Sequence, residues 1–372
     1  MAHISLVHIR RVIFDYGGWS LDCTTFLMPL VSRLSSLGFV YADGGKSESL
    51  KTEDGNGKPQ QVLSEEQQER MVIKKPSFLE IISYTSFPAA NMCGPFFEFK
   101  DYINFIEQKD RYTTIPASFK HTLLKLLQGF FFIGLCIILP NIVGIDEIAE
   151  KQFSDQSYLI QFLKFTLVCF SIRTTYYAAW ALTDGSIGIS GLSYNGKNAD
   201  GTPKFDRIIC AHPLTVETCT TPRDGISSWN TQTVEWLRHY VYNRLVTKKF
   251  DKTSATMMTN LTSAFWHGFY PVYYEFFFFL AILSEIGKDV YKLKDHFSFI
   301  PSPVSTVLCH LLILFSLNYA AAGMIVLDLD KAWNLYKRYY FFWHFVLIFG
   351  FIAFRFVLTP MFKKKSKKTK KE

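Results

Sequence analysis

Apolar positions in this chain come in long blocks, with polar positions gathered between them. Residues 121–143, 158–182 and 304–327 are apolar runs long enough to cross a bilayer, which takes about 20 residues in a helix. Residues 256–283 and 339–360 read the same way, with Pro271 predicted to kink the first of them. Residues 23–41 read as a further span, although they carry Arg33 and three serines. Residues 77–99 are apolar but interrupted by Pro88, Gly94 and Pro95. Inside lipid such a break survives only where protein or a water-filled cavity satisfies the freed backbone groups. The pattern therefore predicts either a broken helix beside a cavity or a plain kinked span.

The polar stretches set the connections. Residues 1–19 read as an amphipathic approach segment. Residues 42–76 read as a solvated loop with a short helix at 64–72, because Gly, Lys, Glu and Gln replace the apolar residues there. Residues 185–228 are turn-rich, and the Asn-Gly and Asp-Gly steps at 195–196 and 200–201 predict turns and a small hairpin. Residues 229–246 are helical in pattern, with Asn230, Val234, Leu237, Val241 and Leu245 on one stripe. The fold class is an all-α polytopic transmembrane bundle of about six to eight spans. No internal repeat is evident, so an inverted-repeat transporter is not supported. Residues 1–362 form the membrane domain, and 363–372 a basic tail.

Composition agrees with the pattern and narrows it. Aromatic residues make up 17% of the 372, which suits a bundle whose rings fill the interior and anchor the interfaces. The net charge of +8 resides largely in the last ten residues, with seven lysines and one glutamate, so nucleic-acid binding is excluded as the meaning of the charge. The same tail predicts a cytosolic C-terminus. Seven scattered cysteines contain no CxxC pair and predict neither a disulfide framework nor a metal site. The first residues lack the apolar core of a cleaved signal peptide, and no glycine pattern for nucleotide phosphates appears.

Two residues stand out against this background. His267 is the single ionisable group in an aromatic run without charge from Thr253 to Tyr274. A titratable side chain in a span is a functional candidate, because burying it is costly without a role or partner; the alternative is a histidine bonded to a neighbouring helix. Asn230 heads the apolar stripe of its helix, where its amide needs a partner; the alternative is a helix cap. Arg173 at membrane depth needs a carboxylate or carbonyl, unless it snorkels to the interface.

Six collinear blocks carry a family resemblance: DYGGWSLD at 15–22, GPFFEF at 94–99, RTTYYAAW at 173–180, GISGLSYNG with GTPKFDRI at 188–208, WNTQTVEWLR at 229–238 and WHGFYPVYY at 266–274. The chain resembles the membrane-bound O-acyltransferase family, in its lysophospholipid acyltransferase branch. The resemblance implies that His267 is the catalytic base and Asn230 its companion. It implies acyl-CoA as co-substrate, a lysophospholipid as acceptor, and no bound cofactor or metal. Trp229, Trp236, Tyr240, Trp266, Tyr270, Gly94 and Pro95 are the candidate substrate-binding residues, with Arg238 beside them. Two departures follow. Val272 stands where that family usually has glycine, which is expected to alter the kink or narrow the tunnel. The chain also begins almost at the first block, and so is expected to lack the family's N-terminal spans.

Neutral imidazole, with an ordinary pKa near 6.5, suits proton abstraction near pH 7. No covalent enzyme intermediate is required, so Cys93 and Cys309 are not expected as nucleophiles. Lys368 and Lys370 resemble a dilysine retrieval signal, implying an endoplasmic reticulum membrane and recognition by a retrieval coat; a basic patch on anionic lipid is the alternative. The sequon at Asn260 abuts a span and is expected to be unused. Other acceptors of the superfamily (sterol, diacylglycerol or protein) remain open at this point, as does a non-catalytic membrane paralogue.

Overall fold

The computed structural model describes residues 2–18, 23–53, 63–91, 94–149 and 155–362. Trp19–Asp22 of the first block, Cys93 and the lysine tail lie outside the described residues. Those described are helical, and no strand occurs among them beyond an isolated bridge between Lys197 and Pro203. In chain order the helices are α1 (Ala2–Phe14), α2 (Thr24–Glu53), α3 (Glu65–Arg70), α4 (Phe78–Thr85), α5 (Phe99–Ile106), α6 (Phe119–Ile138) and α7 (Ile145–Ala149). There follow α8 (Tyr158–Ser190), α9 (Pro213–Thr218), α10 (Pro222–Ser228), α11 (Thr231–Leu237) and α12 (Asn243–Thr247). The last five are α13 (Lys252–His267), α14 (Pro271–Lys292), α15 (Ser302–Val326), α16 (Leu329–Arg338) and α17 (Phe342–Ile352). Four segments are long and apolar enough to cross a membrane: Thr24–Ser47, Phe119–Asn141, Ser302–Val326 and Phe342–Phe362. The chain is thus an all-α polytopic membrane protein.

The expected solvated loop from residue 42 is corrected over its first part. Helix α2 runs on to Glu53, through the Gly44-Gly45 pair that reads as a breaker. Tertiary contacts override the local signal. Asp43 is buried and accepts two hydrogen bonds from the Arg244 guanidinium, at 2.5 and 3.1 Å. Gly44 lies so close to the Val72 carbonyl that a Cβ would sit 2.1 Å from its oxygen. The short helix expected at 64–72 is α3, and Ser64 and Gln67 form its capping box.

The broken segment 77–99 wraps a buried arginine. Helix α4 gives way to a short 3₁₀ turn at Pro88–Ala90, and residues 94–98 are non-helical. Arg33 of α2 donates to the carbonyls of Thr85, Ala90 and Pro95, and its guanidinium sits 4.7 Å from the centre of the Phe97 ring. The cation and the freed carbonyls satisfy each other, which is what makes a break tolerable away from water.

Arg173 has the carboxylate that its position demands. It grips Glu217 with two hydrogen bonds of 2.6 and 2.7 Å, and donates to Asn318 at 2.7 Å. The Tyr177 hydroxyl completes the group by donating to the same Glu217. The carboxylate comes from α9, in the segment that reads as polar and turn-rich. That segment also begins later than its composition suggests, since α8 continues to Ser190.

A single kinked span over 256–283 is likewise corrected. Residues 252–292 form two helices folded back on each other. Thr253, at the start of α13, donates to Glu285 near the end of α14, and Lys288 donates to Thr256. A straight or kinked rod could not bring those residues together. The open end of this hairpin is bound to the last helical segment, where Arg355 pairs with Glu285 at 2.5 Å and Asp289 at 2.6 Å. Both carboxylates are buried. Removing one partner of such a buried group costs on the order of 3–5 kcal/mol. Arg355→Gln is therefore expected to lower the thermal midpoint of the detergent-purified protein by several degrees, followed by size-exclusion fluorescence. An unchanged midpoint would mean that Lys288 and Lys292 suffice to neutralise the pair.

Candidate functional site

Helix α13 starts from an Asp251 cap, whose carboxylate accepts from Thr253 and Ser254, and ends at His267. Its 16 residues span roughly 24 Å, short of the ~30 Å hydrocarbon core. The histidine stands at the tip of a helical hairpin. Gly268 makes the tip: its φ of +138° is open to glycine, and a Cβ there would lie 3.1 Å from His8 Nδ1 and 3.3 Å from Tyr273. Pro271 begins α14 at its first position, where a missing N–H costs nothing. Proline thus starts a new helix rather than bending an old one.

The imidazole of His267 packs among rings. Centroid distances are 4.9 Å to Trp266, 5.0 Å to Phe277 and 5.9 Å to Tyr273. Its two nitrogens make no hydrogen bond among the described residues.

The backbone around it is tied down from the other end of the chain. Tyr270 is buried; its hydroxyl donates to the Asp15 carbonyl at 3.1 Å and accepts from the Gly17 N–H at 3.1 Å. Trp266 donates from Nε1 to the Met28 carbonyl. His8 Nε2 lies 3.1 Å from the Trp266 carbonyl oxygen. The first and last of the six blocks therefore meet at the hairpin tip. His8 was not legible as part of this site; a lone histidine on an amphipathic helix gives no signal.

Asn230 occupies the cap position of α11, as its place at the helix start predicts, but its side chain makes no capping hydrogen bond. Its backbone is left-handed, with φ 46° and ψ 54°. Asparagine tolerates that region better than most residues, yet it still carries strain of about 1–3 kcal/mol. The helix start is satisfied by other groups: Thr231 N–H donates to Cys210, and the Thr231 hydroxyl to Ile209. The carboxamide is thereby left unspent. No direct hydrogen bond links Asn230 to His267 among the described residues. The connection runs through α11, whose Trp236 ring lies 5.7 Å from that of Trp266.

The other candidates divide. Trp236, Trp266 and Tyr270 gather around the hairpin tip. Trp229 turns to α8, where it packs on Trp180 at 4.8 Å and on Tyr176 and Tyr177. Tyr240, two residues beyond Arg238, donates to the buried Glu98. Burial holds the Glu98 carboxyl above the usual carboxylate range, against the pull of Tyr240 and Arg70. Arg70 pairs with Glu98 at 3.2 Å, and His239 lies between Glu66 and Glu235 at 3.1 and 2.8 Å. This charged group, with π-helical turn 238–242 at its centre, is invisible in the sequence because partners such as His239 and Glu66 lie 173 residues apart. Gly94 and Pro95 sit at the Arg33 nest instead. The turn lies at Gly268 and Pro271, just ahead of Val272. Val272 is buried against Gly323 of α15, whose Cβ would lie 3.4 Å away.

Comparison with known proteins follows the same line. A sequence model of the membrane-bound O-acyltransferase family matches residues 6–309. The chain is similar to lysophospholipid acyltransferase 6 of Drosophila melanogaster, 28% identical over 385 residues that cover 96% of this chain and 50% of that protein. It is similar to a lysophospholipid acyltransferase of Saccharomyces cerevisiae, 28% identical, covering 95% and 61%. It is also similar to membrane-bound glycerophospholipid O-acyltransferase 1 of Mus musculus, 26% identical, covering 94% and 71%. The chain thus spans about half the length of the Drosophila relative and 61% of the yeast one.

The tip clamp has a measurable consequence. A net hydrogen bond contributes about 0.5–1.5 kcal/mol, so Tyr270→Phe should speed amide exchange at Gly17 by up to about tenfold. Exchange in α6 and α8 should not change. Equal protection of Gly17 in both proteins would remove the Tyr270 hydroxyl from the clamp.

Proposed function

The chain belongs to the membrane-bound O-acyltransferase family, and from that membership we propose that it transfers a fatty acyl group from acyl-CoA to the free glycerol hydroxyl of a lysophospholipid. The observation that carries the reading is His267: an imidazole with unbonded nitrogens, at the tip of a helical hairpin, among aromatic rings. The names of the relatives support the choice of acceptor over sterol, diacylglycerol or protein.

In this reading His267 takes the proton of the acceptor hydroxyl as its oxygen attacks the thioester carbonyl. A tetrahedral intermediate forms, and the Asn230 carboxamide donates a hydrogen bond to its oxyanion. Collapse breaks the carbon–sulfur bond, and the imidazolium returns its proton to the leaving thiolate of CoA. The ester product and free CoA account for every atom, with no covalent enzyme intermediate and no metal. The rings around His267 exclude water, which would otherwise hydrolyse the thioester. Acyl-CoA approaches from the cytosolic side and the lysophospholipid from the bilayer. Multi-pass insertion in the endoplasmic reticulum, with the lysine tail in the cytosol, accords with Lys368 and Lys370 near the C-terminus.

The test is acyl transfer in microsomes from a host without its own activity, with labelled oleoyl-CoA and a panel of lysophospholipids. His267→Ala is expected to lower the rate by about 10²–10⁴, and Asn230→Ala by about 10²–10³, with both proteins still in the membrane. Labelled phospholipid formed equally well by the His267→Ala protein would sink the proposal.

A further inference from the structure

Between α7, α8, α15 and α16 lies a cavity of about 170 Å³. Its floor is apolar: Ile148 of α7, Phe165 and Val168 of α8, and Ala322 and Val326 of α15. An apolar cavity of about 150 Å³ takes up a benzene-sized group, so this one accommodates a section of an acyl chain.

The mouth is of opposite character. It is closed by α16, from which Lys331, Asn334, Leu335 and Arg338 line the cavity. Their spacing of three, four and seven residues puts them on one helical stripe. Trp333 and Tyr340 beside them are 56% and 84% exposed, the placement of aromatic residues at a membrane boundary.

The two cations at this cavity differ from the ion-paired arginines of the chain. Arg70, Arg173, Arg207, Arg244 and Arg355 each hold a carboxylate at 3.2 Å or less. Lys331 and Arg338 hold none among the described residues, and Arg338 reaches only the Ile148 carbonyl, at 3.4 Å. Two unneutralised cations above an apolar floor are complementary to an amphiphile with an anionic head. Seven residues separate the cations by roughly 10 Å along the helix axis, so two long side chains must converge from opposite sides. A tetrahedral phosphate has oxygens enough for both cations and for the Asn334 amide between them.

We propose that this cavity is a binding site for a phosphate-headed lipid, with its phosphate on Lys331 and Arg338 and part of an acyl chain between α7, α8 and α15. Its occupancy can be read without reference to the acyl-transfer reading.

The experiment uses the full chain in phosphatidylcholine vesicles, with a radiolabelled phosphatidic acid that carries a diazirine in its acyl chain. Photolysis is expected to label peptides containing Phe165 and Ala322. Labelling should fall about tenfold or more in Lys331→Gln/Arg338→Gln, given two lost charge-assisted contacts. It should fall as far in Ala322→Trp, which fills the floor and leaves the cations in place, so a misfolded charge variant does not decide the matter. Excess inorganic phosphate should displace little of the probe. Unchanged labelling in both variants, or crosslinks confined to outward residues such as Phe130 and Leu311, overturns the site. Complete displacement by inorganic phosphate overturns the lipid as its ligand. The readout is labelling rather than turnover, so failure here and failure of the acyl-transfer reading are distinguishable.

Discussion

A histidine can keep its nitrogens free inside a bilayer only if every other polar group near it is satisfied by something else. That condition shapes the carboxyl-terminal half of this chain. The backbone must break at the tip of the α13–α14 hairpin, and the break leaves peptide groups that lipid cannot satisfy. Glycine permits the turn and proline removes one donor. From the amino-terminal segment the side chain of His8 reaches the Trp266 carbonyl, and Asp15 and Gly17 hold the Tyr270 hydroxyl. At the open end, Arg355 neutralises two buried carboxylates, holding the helices that carry the tip. Free imidazole nitrogens are thus a property of the whole hairpin and not of His267 alone.

The same condition explains the arginines. A cation at membrane depth is tolerated when it is fully paired, and this chain uses two solutions. Arg173 and Arg355 take carboxylates from distant helices, so each cross-links segments that are far apart in sequence. Arg33 takes carbonyls, and those carbonyls are available because Pro88 and Pro95 interrupt the helical ladder around it. A buried charge and a broken helix, each costly alone, offset one another.

Much of this was legible in the sequence for a definite reason. Periodicity and block length report whether a segment faces lipid, and they marked α6, α15 and the α17 region nearly to the residue. A charge-free aromatic run singled out the histidine that stands at the hairpin tip. What the sequence could not report is direction. The run 256–283 reads as one span because folding back on itself leaves its composition unchanged; only the Thr253–Glu285 and Lys288–Thr256 contacts distinguish a hairpin from a rod. Helix α2 reads as ending at residue 42 because Asp-Gly-Gly is a local breaker, and the Arg244 partner that overrides it lies 201 residues away. Long-range pairs of this kind leave no local trace. The Glu98, Arg70 and His239 group was missed for the same reason.

Asn230 and Val272 are where local rules fail for opposite causes. Asn230 is the right residue type in the right place for a helix cap, yet it sits in a left-handed conformation and its side chain bonds nothing as a cap. The left-handed backbone is thus strained without a capping bond in return. Val272 breaks a pattern without strain. It sits on α14 opposite Gly323 of α15, so a branched side chain on one helix meets a residue without one on the other. Packing complementarity between helices constrains the sum across the contact rather than either residue.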